Sequence, residues 1–173
     1  MKSSEFYFKS TKDNLDIHVY KWEPENKNPI GIVQISHGMS ETAIRYEYFA
    51  KNLTDNGYIV YINDHRGHGL TAKTIDNVGC LADSDGFTYL VEDINTLTNI
   101  IKEENEDLHI FLFGHSMGSF ASQRYIMEYG NNIDGLILSG SNGKHGFILN
   151  IAEKIINYEI KKKGRLHRSK ALD

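Results

Sequence analysis

Ten residues constrain this chain more than any others: Ile110-Phe111-Leu112-Phe113-Gly114-His115-Ser116-Met117-Gly118-Ser119. A short apolar run stops at a glycine, a serine follows two residues later, and a second glycine comes two after that. The run reads as a buried strand and the residues beyond it carry helical spacing, so Ser116 stands at the apex of a sharp strand-to-helix turn. A turn this tight leaves no room for side chains beside the serine, which gives glycine at 114 and 118 a physical reason.

The same alternation of strand and helix runs through the rest of the sequence. Residues 5–9 and 15–22 are rich in aromatic and β-branched side chains and flank a polar stretch, which predicts a β-hairpin. Beyond Pro24 and Pro29, residues 30–36 predict a buried strand that ends abruptly at His37-Gly38-Met39. Tyr46, Phe49, Ala50 and Leu53 fall at i, i+3, i+4 and i+7 and predict a helix over 42–56, closed by Gly57 as its C-cap. A strand over 58–63 ends in Asp64-His65-Arg66-Gly67-His68-Gly69, and residues 70–85 read as loop. Phe87, Leu90, Val91, Ile94, Leu97 and Ile101 mark one face of a second helix. A strand over 108–113, a helix over 117–129 and a strand over 133–138 complete the series.

This alternation predicts a parallel α/β sheet with helices on both faces. Ligands bind at the carboxyl ends of strands in such sheets. Here those ends carry His37-Gly38-Met39, the segment 64–69, and Ser116, so the candidate chemistry gathers on one edge.

Composition narrows the classes. A chain of 173 residues fits one domain, and 40% hydrophobic with 24% charged residues is a globular composition. A net charge of −4 gives no reason to expect nucleic acid as a partner. The single cysteine, Cys80, excludes an internal disulfide and a cysteine-built metal site, and suits a cytoplasmic protein. No metal and no cofactor are expected. No apolar run approaches a membrane span, and residues 1–9 carry no signal-peptide pattern.

Taken together, the motifs resemble the α/β-hydrolases, and within them the monoglyceride lipase and lysophospholipase-like serine hydrolases. The resemblance is carried by Trp22-x-Pro24, by His37-Gly38-Met39-x-Glu41 with Arg45-Tyr46, and by Gly57-Tyr58. It continues through Asp64-x-Arg66-Gly67-His68-Gly69, Phe87 with Asp93, and Gly114-His115-Ser116-Met117-Gly118, in the family's order. Thr42, Thr71 and Ser119 are small departures from the pattern.

The resemblance implies an α/β-hydrolase fold with a mostly parallel sheet and an N-terminal antiparallel hairpin, lacking the last strands. It divides the chain into a partial core over 1–146 and the start of a lid over 147–173. It implies that Ser116 is the nucleophile of a nucleophile elbow, attacking an ester carbonyl to form an acyl-enzyme. The oxyanion donors are then the backbone N–H groups of Met117 and Met39, with Gly38 allowing close approach. His37, His115, Gly114 and Gly118 shape the site without serving as the base. His68 reads as part of a structured turn held by Asp64 and Arg66. The implied substrate is a monoacylglycerol, a lysophospholipid or another small or lipid ester.

The departure at the end of the sequence is larger. In this fold the acid and then the histidine follow the serine, each after a further strand. Asp134, His145, His167 and Asp173 do follow Ser116, but Asp134 begins a strand, at the wrong edge of the sheet, and the motif does not carry over to His145. The chain therefore reads as the N-terminal part of a longer hydrolase. The alternative is a catalytically silent remnant acting only with a partner or as a homo-oligomer through an exposed sheet edge. The apolar helix over 147–163, with Lys161-Lys162-Lys163 at its end, reads as a lid helix and also suits peripheral contact with a membrane.

Overall fold

The computed structural model describes residues 1–143 and 147–164. It divides into two units, Met1–Ser141 and Asn142–Asp173. In the first, β1 (Lys2–Lys9) pairs antiparallel with β2 (Asp16–Glu23), so the expected hairpin forms and begins three residues before residue 5. β2 pairs antiparallel with β4 (Tyr58–Asn63), and β4 lies parallel to β3 (Gly31–Ser36). On the other side of β3 come β5 (Ile110–His115) and β6 (Gly135–Ser139), both parallel. The six strands run in the order β1-β2-β4-β3-β5-β6.

Central β3 is buried at every residue, as a strand covered on both faces must be. Its alternate side chains enter different clusters. Val33 and Ile35 join Trp22, Val60, Ile62 and Ala50 of α1 (Glu47–Asp55) on one face. Ile32 joins Ile59, Ile110, Leu97 and Ile101 on the other, under α3 (Gly86–Glu104). Leu112 packs there with Leu90 and Ile94 of α3 and with Ala121 and Tyr125 of α4 (Met117–Tyr129).

The chain leaves β3 toward β4 and later enters β5 on the opposite side of β3. The direction of winding therefore reverses between β3 and β5, and a crevice opens beyond their carboxyl ends at such a switch point. Ser36 is in register with Gly114 across that boundary. The segments that follow each of them, 37–41 and 115–118, are thus neighbours in space.

Two stretches differ from expectation. The helix read over 42–56 begins as a 3₁₀ turn, Ala43–Tyr46, before α1. The segment read as loop over 70–85 contains the one-turn helix α2 (Gly69–Ala72) and a 3₁₀ turn, Ile75–Asn77. Asp64 caps the first turn of the 42–56 segment and of α2, its buried carboxylate accepting the N–H of Ala43 (2.7 Å) and of Leu70 (3.0 Å). A cap supplied from β4 is invisible to local spacing.

In the second unit, α5 (Phe147–Lys163) ends in three lysines, which suit the negative end of its dipole. No helix of the described residues is long and apolar enough to cross a membrane.

Candidate active site

β5 delivers Ser116 into a conformation few residues adopt, φ +50° and ψ −117°. Holding a non-glycine residue there costs on the order of 1–3 kcal/mol and requires a surrounding structure that leaves no alternative. Four hydrogen bonds provide it. The Ser116 N–H donates to Ser139 O of β6 (2.9 Å). The N–H groups of Ser119 and Phe120 and the Ser119 hydroxyl donate to the Ser116 carbonyl, the last at 2.7 Å.

The two glycines are demanded by close approach. A Cβ on Gly118 would lie 2.0 Å from Ser36 O and 2.6 Å from His37 O, so α4 abuts the end of β3. A Cβ on Gly114 would lie 2.5 Å from Ser122 Oγ and 2.7 Å from Gly118 O.

The loop after β3 faces this turn. A Cβ on Gly38 would sit 3.3 Å from the Ser116 Cβ, which places the His37-Gly38-Met39 segment directly against the serine. Gly38 N–H donates to Glu41 Oε2 at 2.8 Å, and Ser40 N–H donates to His68 Nε2 at 3.3 Å. The N–H groups of Met39 and of Met117 have no hydrogen-bond acceptor among the described residues. The Met39 side chain is 69% exposed, so apolar packing does not account for this residue, whereas Met117 packs on the α3–α4 cluster.

Each of the histidines around the serine is engaged in holding a loop, and none bonds to Ser116 Oγ among the described residues. His37 is fully buried; its Nδ1–H donates to Gly38 O (2.8 Å) and its Nε2 accepts the His65 N–H (2.9 Å). Burial holds it neutral, down at about 4. The His65 ring lies tilted against it with centroids 4.1 Å apart and bridges Asn63 and Ser36; burial, with His37 and His68 nearby, pushes it well below the ordinary value. His68 is held by the Arg66 carbonyl through Nδ1–H (2.8 Å) and not by the Asp64 carboxylate, which is engaged in capping. His115 Nδ1 meets the Ser139 hydroxyl at 3.2 Å, tying the turn to β6.

Arg66 is buried with every guanidinium donor used. Nε meets Asp93 (2.6 Å), both terminal nitrogens meet Asp13, and Ser10 Oγ and Leu81 O take the remainder. This joins the hairpin turn, α3 and the 78–84 loop beneath the segment 64–69. A cleft of about 370 Å³ that reaches His115, the residue before Ser116, is lined also by Glu41, Arg45, Tyr46, Tyr48, Phe49 and Phe113, with the two phenylalanine rings 5.3 Å apart.

The structure thus brings together Ser116, Met117, Gly114, Gly118, His37, Gly38, Met39 and His115. Asp134 lies elsewhere, at the start of β6, where it accepts the Ile110 N–H and pairs with His109. His145, His167 and Asp173 lie outside the described residues. Among the described residues the Ser116 hydroxyl has no hydrogen-bond partner. Sequence reasoning gave Glu41 and Tyr46 no role at the site; the only signal was their place beside His37-Gly38-Met39.

Comparison with known proteins agrees with this geometry. The family described as serine aminopeptidase, S33, matches residues 27–171. A monoacylglycerol lipase of Mycolicibacterium smegmatis is 33% identical over 119 residues, covering 69% of this chain and 40% of that protein. Phospholipase YtpA of Bacillus subtilis is 28% identical over 141 residues, covering 79% of this chain and 51% of its own. A thermostable carboxyl esterase from Bacillus coagulans, solved with glycerol, superposes with a TM-score of 0.85 at 32% identity, covering 99% of this chain and 55% of that one. The chain therefore spans about half the length, or less, of the relatives it matches. A serine elbow at the switch point of a parallel sheet, faced by the loop after β3 and matched over most of its length, makes this chain a member of the serine aminopeptidase S33 family of α/β-hydrolases.

Proposed function

We propose that this chain carries the nucleophile and oxyanion half of a serine hydrolase for carboxylic esters, of the monoacylglycerol or lysophospholipid type. Ser116 Oγ attacks the ester carbonyl and expels the alcohol, leaving an acyl-enzyme that water then cleaves. The N–H groups of Met39 and Met117 stabilise the tetrahedral oxyanion, each contributing about 2.7–4 kcal/mol to lowering the barrier. His37, His115, Gly38, Gly114 and Gly118 give the site its shape. The observation that carries this reading is the strained Ser116 backbone facing Gly38 at van der Waals distance, with an unpaired N–H on either side. The aromatic cleft that reaches His115 suits an acyl or glyceryl group, and helix α5 reads as the start of a lid.

A second reading has its own support. A hydroxyl without a base is a poor nucleophile, and no described histidine or carboxylate bonds to Ser116 Oγ. A chain that is silent alone, acting with a partner or as an oligomer, meets that observation. A fluorophosphonate probe separates the two. Labelling of the 173-residue chain that disappears in Ser116→Ala supports the hydrolase; labelling that survives the substitution removes Ser116 as nucleophile. A folded chain that takes no label favours the silent reading.

A further inference from the structure

Of the three successive N–H groups after His37, two are engaged and one is not. Gly38 is held by Glu41 and Ser40 by His68, leaving Met39 between them. Glu41 Oε2 takes both the Gly38 N–H and the Tyr46 hydroxyl, each at 2.8 Å, while Arg45 stands 3.6 Å from Oε1. Tyr46 closes the 3₁₀ turn whose first N–H is capped by Asp64. The loop is therefore fastened through Glu41 to Tyr46, and through that turn to the end of β4. The geometry follows the capping box, in which a glutamate three residues on reaches back to a backbone N–H. Ser40, a non-glycine residue at φ +60°, would relax without such restraint.

We infer that Glu41 is a positioning residue for the oxyanion donor, its carboxylate holding Gly38 so that the Met39 N–H stays fixed and unoccupied beside Ser116. This rests on the acyl-transfer reading of Ser116. A donor aimed in advance needs no reorganisation when charge develops on the carbonyl oxygen, and most of an oxyanion hole's benefit comes from that. Losing the carboxylate leaves Gly38 N–H unpaired and the loop free to turn Met39 away. Burial raises the Glu41 carboxyl, but the bonds from Tyr46 and Gly38 outweigh it and hold the group below the ordinary glutamate value, ionised at neutral pH.

Two variants of the 173-residue chain test this through the rate of fluorophosphonate labelling. Glu41→Ala should slow labelling by about tenfold to a hundredfold, part of the loss seen when an oxyanion donor is removed. Glu41→Gln keeps an acceptor for Gly38 and should react within about threefold of the unaltered chain. Equal rates for Glu41→Ala and the unaltered chain overturn the inference, as does a Gln variant as slow as the Ala variant.

A second measurement needs no reactivity. The chain has four methionines, Met1, Met39, Met117 and Met127, so ¹⁵N-methionine labelling gives a sparse amide spectrum. Glu41→Ala should move the Met39 signal and leave the exposed Met127 in place, and Glu41→Gln should restore it. An unmoved Met39 signal overturns the inference. If the unaltered chain takes no label, the silent reading is favoured and Met39 alone decides whether Glu41 positions the loop.

Discussion

Gly38 and Ser116 are packed so closely that a methyl group on residue 38 would lie 3.3 Å from the Ser116 Cβ. The same methyl would meet Glu41 Oε2 at 2.9 Å, the far end of a flexible side chain. Gly38→Ala should therefore fold, with the loop displaced by a few tenths of an ångström and the Glu41 bond disturbed. Small displacements of a reacting constellation are expensive in rate. Fluorophosphonate labelling should slow about tenfold or more while the urea midpoint stays near that of the unaltered chain. Unchanged labelling would show that the loop after β3 plays no part in the reaction.

The strain at Ser116 yields a prediction on stability alone. Alanine and glycine at 116 both remove the hydroxyl, but only glycine relieves φ +50°. Relief of about 1–3 kcal/mol, less about 0.5–1 for glycine's greater freedom in the unfolded chain, leaves Ser116→Gly more stable than Ser116→Ala by about 1 kcal/mol. Urea unfolding of the two variants measures the difference. Equal stabilities would mean that the elbow is not strained.

Much of this arrangement could be read from the residues, for identifiable reasons. Apolar runs and i, i+3, i+4 spacing are local, and they located the core strands and helices; the C-cap of α1 is Asn56, and Gly57, expected in that place, follows it at φ +94°. The glycines at 114 and 118 announced a close approach, and a Cβ added at either would lie 2.0–2.7 Å from backbone oxygens. The parts that escaped depend on bonds between distant segments. Asp64 caps a turn 21 residues earlier and a helix six residues later, and no side-chain periodicity encodes either. Glu41 binds main chain, which leaves no mark in a pattern of side chains. Met39 stands out only once its neighbours' N–H groups are seen to be taken.

Gly118→Ala should be severe where Gly38→Ala is mild. Its methyl would lie 2.0 Å from Ser36 O and 2.6 Å from His37 O, both backbone atoms of the central strand's end that cannot swing aside. Relief requires α4 to move off β3. A cost of about 3 kcal/mol is expected, at the upper end for overpacking. A thermal or urea transition shifted by less than about 1 kcal/mol would show that α4 is free to slide.

The pH dependence of stability should carry the mark of His37. Its folded pKa is depressed, to about 4, because burial disfavours the imidazolium and Nε2 is already an acceptor. Between about 4 and 6.5 the unfolded chain then binds the proton that the folded chain refuses, so stability rises with pH across that window and is lost as pH falls through it. From pH 7.5 to 5 the loss from this group is about 2 kcal/mol. His37→Gln, which does not titrate, should lose correspondingly less over the same interval. Parallel acid profiles for the two chains would mean that His37 is not held neutral.

Arg66 supplies the last test, because chemistry and geometry make lysine a poor substitute there. Its guanidinium serves Asp93, Asp13, Ser10 and Leu81 O from a site only 1% exposed. A lysine ammonium has three donors on a compact head and cannot reach four partners arranged around a planar fork. Asp93, whose carboxyl burial raises to about 6 against the pull of Arg66, would lose the 2.6 Å bond from the Arg66 Nε–H. Arg66→Lys should therefore cost about 3 kcal/mol, as for a broken buried pair. The loss should fall on the hairpin turn and the 78–84 loop together, since Arg66 is what joins them. Hydrogen exchange resolves that: amides of both segments should open in step, and faster exchange at only one of them would mean that Arg66 does not couple the two.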